Sequence, residues 1–243
     1  GFEICEDAWA ASRPGSDLAA RGVDLILNPS ASHFAFAKEE VRRRFVLEGS
    51  RAFGVTYVYA NMLGNEAGRA IYDGSVLLAS AGQMLAEGRR FSFADRLLTD
   101  AVVDLDVARL AQARLSAGAV ADAEAAVDVP FSLPVVSRRS PPRMLRGAWE
   151  TGPHVKEEEF ARAVALGLFD YLRKSRSRGF VVSASGGADS SAVACLAALA
   201  VRLAATELGG EAAARRLGRV GDEAGDGGPP QGEPLVNATL SCV

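Results

Sequence analysis

The chain has 243 residues, of which 49% are hydrophobic and 23% charged, a composition typical of globular proteins. Thirty acidic residues against 27 basic ones leave a formal net charge of −3, which argues against a nucleic-acid-binding surface. Cys5, Cys195 and Cys242 are far apart and lack disulfide or zinc spacing, so the pattern is that of a reduced, cytoplasmic-type protein rather than a secreted scaffold.

In chain order, the apolar start Gly1-Phe2-Glu3-Ile4 runs into Cys5-Glu6-Asp7-Ala8-Trp9. A lone cysteine is by default a small buried hydrophobe, and Glu6 and Asp7 are like charges that oppose thiolate formation. A helix-like Asp17 to Arg21 follows, then a strand-like Val23 to Leu27 and the polar Asn28-Pro29-Ser30-Ala31-Ser32. The amphipathic period of Lys38 to Phe53 predicts a helix, with Arg42-Arg43-Arg44 as its solvated face. Val55 to Asn61 reads as a strand, followed by Tyr72-Asp73-Gly74-Ser75 and a hairpin at Gly82.

Alternation of helix and strand periods continues to about Ala113. Ser137 to Pro142 and Gly152-Pro153 then mark a linker. A new unit opens near Val155, where Lys156-Glu157-Glu158-Glu159 supplies acids to a first helical turn and Phe160, Val164, Leu168 and Leu172 form an apolar stripe. Phe180 to Val182 predicts a strand. The helix from Ser190 to about Glu207 is apolar nearly all round and is expected to be buried against a sheet. Its longest uncharged run, Ala192 to Val201, is about half a membrane span, so no membrane partner is expected. Gly209 to Pro234, rich in Gly, Glu, Asp and Pro, reads as a mobile, dispensable surface insert. His33 and His154 lie in separate units, which argues against metal or Ser-His chemistry.

Between that strand and that helix lies Ser185-Gly186-Gly187-Ala188-Asp189-Ser190. Two adjacent glycines let the backbone approach an anion, and the amides of a first helical turn point at it with the helix dipole behind them. Ser185 and Ser190 add hydroxyl donors. Asp189 is out of place in a purely anion-binding loop unless a cation lies between it and the phosphates, which implies Mg²⁺ brought in with ATP. None of Lys38, Lys156 and Lys174 follows a glycine, so a Walker-type loop is excluded. The plain alternative is a glycine-rich turn with a helix-capping serine.

At these six residues the chain resembles the ATP pyrophosphatase family. That family cleaves ATP between the α and β phosphates, adenylylates a substrate oxygen and lets a nitrogen or sulfur nucleophile displace AMP. The order of elements over residues 1 to 105 resembles the carbon–nitrogen hydrolase (nitrilase) superfamily, with Cys5 at the position of its thiol nucleophile. Joined in this order, the two halves are similar to the glutamine-dependent NAD⁺ synthetase family. The similarity is carried by Cys5-Glu6-Asp7, Asn28 to Ser32, Tyr57 to Asn61, Tyr72-Asp73-Gly74, Lys156 to Phe160 and the Ser185 loop.

The resemblance implies an α/β fold: the C-terminal part of a nitrilase-like α-β-β-α sandwich over residues 1–116, a linker over 117–155, and the start of a Rossmann-like adenine nucleotide alpha hydrolase unit over 156–243. It implies Cys5 as nucleophile, and Glu6, Ser32 and Lys38 as contacts to glutamine, with Lys38 suited to the α-carboxylate. On residue chemistry alone Ser32 and Lys38 read equally well as a helix-capping serine and a surface lysine. Ser185, Gly186, Gly187, Ala188, Asp189 and Ser190 would bind ATP and pyrophosphate, Asp189 holding Mg²⁺. The implied partners are glutamine, ATP and nicotinic acid adenine dinucleotide, in a cytoplasmic homo-oligomer with no tightly bound organic cofactor. In that family the thiol's base is a glutamate and its cation a lysine, both before the cysteine. With four residues before Cys5, Gly1 in place of methionine and an apolar end at Val243, the chain reads as an internal fragment, expected to be inactive alone. Two alternatives stay open: a nitrilase-type amidase fused to another amide-forming ATP pyrophosphatase, and a non-catalytic nucleotide-binding module.

Overall fold

In a computed structural model, the first three residues extend beside strand β1 (Leu25–Ser30): Glu3 donates its N–H to the Leu27 carbonyl and Leu27 donates to that of Gly1, at 3.1 and 2.9 Å. The structure describes residues 1–66, 68–115, 127–130, 132, 141–218 and 233–243. A short 3₁₀ turn (Cys5–Trp9) and helix α1 (Pro14–Ala20) lead into β1. That strand lies two to three residues later than the apolar run suggests and takes in Asn28, Pro29 and Ser30. Alternation explains the shift. Ile26, Asn28 and Ser30 face inward, and the two polar members are satisfied there, Asn28 Nδ2 donating to the Tyr57 hydroxyl and Ser30 Oγ to Asn28 Oδ1 at 3.0 and 2.6 Å.

Helix α2 (Lys38–Phe53) crosses back to β2 (Thr56–Asn61), which pairs with β1 in parallel. A hairpin of β3 (Leu63–Glu66) and β4 (Ala70–Asp73) stands apart from the main sheet. Strands β5 (Val76–Ser80) and β6 (Gln83–Glu87) then extend the sheet antiparallel through the expected turn at Gly82. After helix α3 (Leu105–Leu115), strand β7 (Arg143–Met144) closes a five-stranded sheet of order β1-β2-β5-β6-β7. A core of Ile26, Val46, Val55, Tyr57, Tyr59, Leu77 and Ala79 fills the space between this sheet and α2.

The stretch expected to be only linker therefore contributes a strand, and its 3₁₀ turn Ala148–Thr151 buries Glu150. Ser137 to Ser140 lie outside the described residues. Helix α4 (Val155–Ser175) follows, then β8 (Phe180–Val182), α5 (Ala188–Leu208), α6 (Gly210–Arg216), α7 (Glu233–Thr239) and β9 (Leu240–Cys242), which pairs with β8 in parallel. A strand, a helical crossover and a parallel strand make the unit that places ligands at the strand's C-terminal end.

A second core joins the two halves, with Phe91 and Phe93 packing among Leu166 and Phe169 of α4, Val201 of α5, Ala213 of α6 and Leu235 of α7. The α4–hairpin seam is close. Asp170 accepts the Asn65 N–H at 2.8 Å, Lys174 donates to the Asn65 carbonyl, and a Cβ on Gly64, at φ +107°, would lie 2.4 Å from the Asp170 carboxylate.

Four expectations need correction. Arg42 is not on a solvated face: it lies on the stripe Arg42, Val46, Gly49 and Ser50 that α2 buries, and Arg43 turns to Glu87, which leaves only Arg44 of the three largely exposed. The α4 stripe holds at its far end, where Leu172 is buried and Leu168 packs on the core, but at its start Phe160 is exposed and Glu159 is buried instead, on a face that continues through Ala163, Leu166 and Asp170. Helix α5 packs mainly on α4 and α6 and only touches β8 and β9, leaving Val193 half exposed. By length and composition it could cross a membrane, a test that apolar helices of soluble cores also pass. Finally, the supposed insert begins as helix α6, whose Ala213 and Ala214 enter the core; alanines bury well while adding little to a hydrophobic reading. Of that insert, residues 219–232 lie outside the described residues.

Candidate active sites

Cys5 sits where an extended segment turns into a 3₁₀ helix, with a left-handed backbone at φ +48°. A non-glycine residue in that region costs about 1–2 kcal/mol. The same kind of strained strand-to-helix corner presents nucleophiles clear of their backbone in other folds. What fixes the corner is Glu3. It is fully buried, and its carboxylate accepts from Arg13 Nη2 at 2.6 Å, from the Gly15 N–H at 3.0 Å and from the Tyr57 hydroxyl. Burial works against the Glu3 charge, but the bonds from Arg13 and Tyr57 outweigh it and hold this carboxyl below its usual range. Just after the thiol, Asp7 accepts the Ile4 N–H at 2.9 Å and closes the turn.

Lys38 reaches the 3₁₀ turn that begins at Cys5. The Lys38 ammonium donates to the His33 carbonyl at 3.0 Å and stands over the Trp9 ring at 5.5 Å from its centroid. Burial, then the Arg42 charge, push its pKa down, partly opposed by Asp73 and Cys5. Ser32 is buried rather than a helix cap. Its N–H donates to Asn61 Oδ1 at 2.8 Å, and its carbonyl accepts from Asn61 Nδ2 and Arg42 Nη2 at 2.9 and 2.8 Å. Helix α2 instead starts from Ala37, which offers no side-chain cap. Cys5, Ser32 and Lys38 are thus gathered around one end of the sheet, while Glu6 is exposed.

Beneath them lies a buried ionic cluster. Asp73 accepts from Arg42 Nη1 on both oxygens at 2.7 and 2.8 Å, from Asn61 Nδ2 at 3.1 Å and from Arg90 Nη2 at 3.0 Å. Arg90 also donates to Glu159 at 2.8 Å and to Glu150 at 3.4 Å. Glu39 accepts from Ser75 Oγ at 2.8 Å and from Arg42 at 3.3 Å; its burial pushes its pKa up against the pull of Arg90 and Arg42. Burial opposes the two guanidinium charges, and their carboxylate neighbours, Asp73 foremost, outweigh it. Two consecutive positive-φ residues, Gly74 and Ser75, turn the chain sharply after Asp73 and place it under Arg42. Close by, the Tyr59 hydroxyl is buried without a hydrogen bond of good geometry, and burial raises its pKa to about 12.

At the other site, the loop after β8 leads directly into α5. Gly186 has φ +79° with open space around it, and Gly187 is the N-cap without a side-chain cap, so the first-turn amides are left for a ligand. Ser185 Oγ and Ser190 Oγ are 3.3 Å apart, and Ser190 Oγ donates to the Gly187 carbonyl at 3.2 Å. Asp189, in the first turn, is exposed and makes no hydrogen bond or ion pair among the described residues. Asp189 would hold a divalent cation there, whose charge would offset that of an anion taken up by the uncapped amides. No group of three or more His, Cys, Asp or Glu side chains able to hold a metal by itself occurs among the described residues, and His33 and His154 are both exposed.

Residues read only as matching segments, Asn61, Asp73 and Glu159, together with Arg42 and Arg90, form the frame of the thiol site. Arg42 could have been found from its place four residues before Val46 on the inward stripe. Arg90 and Glu159 carry no local signal, since each finds its partner 69 residues away.

Residues 160–214 match the NAD synthase family. The glutamine-dependent NAD(+) synthetase of Oryza sativa subsp. indica is 38% identical over 199 residues, covering 80% of this chain and 27% of that protein. The Homo sapiens glutamine-dependent NAD(+) synthetase is 34% identical over 200 residues, covering 81% and 28%. The crystal structure of a glutamine-dependent NAD(+) synthetase from Cytophaga hutchinsonii superposes with a TM-score of 0.68 at 37% identity, over 100% of this chain and 33% of that one. The chain spans about a quarter to a third of the length of these relatives. Over most of its own length, the chain is homologous to the glutamine-dependent NAD⁺ synthetases.

Proposed function

We propose that this chain is the junction of a glutamine-hydrolysing NAD⁺ synthase, with residues 1–116 forming the C-terminal part of a nitrilase-like amidase unit and 156–243 opening a Rossmann-like ATP pyrophosphatase unit. The observation that carries this reading is the presence, on one chain, of a thiol at a strained strand-to-helix corner and an uncapped glycine loop ending in a free carboxylate. Each alone fits many proteins. Together they fit ammonia release and ammonia use, and the homology over both halves favours this pairing above the two alternatives.

In this reading Cys5 Sγ attacks the glutamine carboxamide carbon. The C–N bond breaks, ammonia leaves, and a γ-glutamyl thioester forms that water hydrolyses to glutamate. Lys38 offers its cation to the α-carboxylate, and the Ser32 hydroxyl holds the substrate's amino-acid end. At the second site the Ser185 to Ser190 loop binds the phosphates that leave as pyrophosphate when a carboxylate oxygen of nicotinic acid adenine dinucleotide attacks the α-phosphorus of ATP. Ammonia then displaces AMP and forms the carboxamide of NAD⁺. Asp189 would hold Mg²⁺, which offsets phosphate charge. The protein is proposed to work in the cytoplasm as a homo-oligomer.

The products test this assignment. The purified full-length protein, given glutamine, ATP, Mg²⁺ and nicotinic acid adenine dinucleotide, is expected to release one AMP and one pyrophosphate per NAD⁺. Chromatography showing ADP and orthophosphate in their place would rule out the pyrophosphatase reading.

A further inference from the structure

The segment between β1 and α2, residues 32 to 37, carries Ser32 at its start and runs directly into Lys38. Its two ends are held by different parts of the molecule. The Ser32 end is clamped from within by Asn61 and Arg42, both resting on Asp73. The other end stops at Ala37, a non-glycine residue at φ +58° that starts α2 without a side-chain cap. Such a residue stays in that conformation only where its surroundings hold it. A group from α4 meets it there: the Ala37 N–H donates a long hydrogen bond to Glu159 Oε2 at 3.5 Å, while Glu159 Oε1 accepts from Arg90 Nη2 at 2.8 Å. Arg90 in turn donates to Asp73, so one buried carboxylate touches the Lys38 end directly and reaches the Ser32 end through Arg90, Asp73 and Arg42. Between the two ends, Phe34 packs edge-on to Phe91 with ring centroids 5.3 Å apart and leans on the α4 core.

We infer that Glu159 is a positioning residue for the glutamine end of the amidase site: from the first turns of the nucleotide-side unit, it sets the spacing between Ser32 and Lys38. This rests on the functional reading above. Its charge is what matters. A neutral amide of the same size still fills the space, but it pulls less on Arg90 and presents a donor where an acceptor is needed. Removing the charge does not orphan Arg90, which keeps Asp73 and Glu150, so the fold is expected to survive.

The test is Glu159→Gln in the full-length protein, with KM and kcat measured separately for glutamine and for ammonium. The expected result is a KM for glutamine raised about tenfold, with kcat for glutamine changed less than threefold and ammonium-dependent synthesis unchanged. Calorimetry of glutamine binding to Cys5→Ala, with and without Glu159→Gln, should show the same tenfold loss without turnover. Arg90→Lys, which keeps the charge but loses the fork that joins Asp73 to Glu159, should shift KM in the same direction and decides the matter if Glu159→Gln does not fold. A glutamine KM within twofold of wild type, or equal losses with glutamine and ammonium, would overturn the inference. In either of those cases the functional reading stands as long as Cys5→Ala alone abolishes the use of glutamine. If Cys5→Ala leaves glutamine use intact, it is the functional reading that fails.

Discussion

Cys5→Ala in the full-length protein is expected to abolish NAD⁺ formation from glutamine, by about 10³-fold or more, while leaving formation from ammonium salt near the wild-type rate. The substitution is mild for the fold. Alanine pays the same left-handed backbone cost as cysteine at φ +48°, and the side chain is only partly buried. The corner itself is held by Glu3, Arg13 and Tyr57, none of which touches the thiol through a hydrogen bond. The chain's other two thiols lie on other elements, Cys195 on α5 and Cys242 on β9. Steady-state rates with each nitrogen source check the result, and retained glutamine-dependent synthesis would remove Cys5 from the mechanism.

Asp189→Asn should give the complementary pattern: a loss of about 100-fold or more with both nitrogen sources, while glutamine hydrolysis remains measurable. The argument is again local. Asp189 is exposed at the N-terminal turn of α5 and pairs with no described residue, so losing its charge costs the fold little. Asparagine keeps the size and can still accept a hydrogen bond, but it no longer offsets a divalent cation. Synthesis from ammonium at near the wild-type rate would show that the metal, if used, is held elsewhere. Glutamate release measured alongside NAD⁺ separates this outcome from a general loss of folding.

Much of this could be read in the residues, and what could not has a physical reason. Helix α2, strand β2, helix α4 and strand β8 fall within a residue or two of their apolar runs: the two helices each bury one face and expose the other, while β2 lies mid-sheet with Thr56, Tyr57 and Tyr59 all buried. The phosphate loop was legible because its chemistry is contiguous. The frame of the thiol site was not. Arg42 reads with its neighbours as one charge run, whereas in a helix consecutive residues point about 100° apart and only its own position on the stripe matters. Glu159 has the look of a first-turn acid and Phe160 that of a core residue, yet Glu159 is the buried one, because a charge enters a core only where a distant partner meets it. Helix α6 was hidden by composition, since its buried residues are alanines beside a Gly, Asp and Pro tract.

If one protein takes nitrogen from glutamine with the Cys5 thiol and delivers it to a carboxylate activated at the Ser185 loop, its product inherits that nitrogen. Mass spectrometry of NAD⁺ made by the full-length protein from amide-¹⁵N glutamine, ATP, Mg²⁺ and nicotinic acid adenine dinucleotide tests it most directly. Unlabelled ammonium at low concentration is included as competitor. The carboxamide of NAD⁺ is expected to carry ¹⁵N, and the label to disappear in Cys5→Ala, whose product draws on ammonium alone. NAD⁺ without ¹⁵N from the wild-type protein, or ¹⁵N-labelled NAD⁺ from Cys5→Ala, would contradict it.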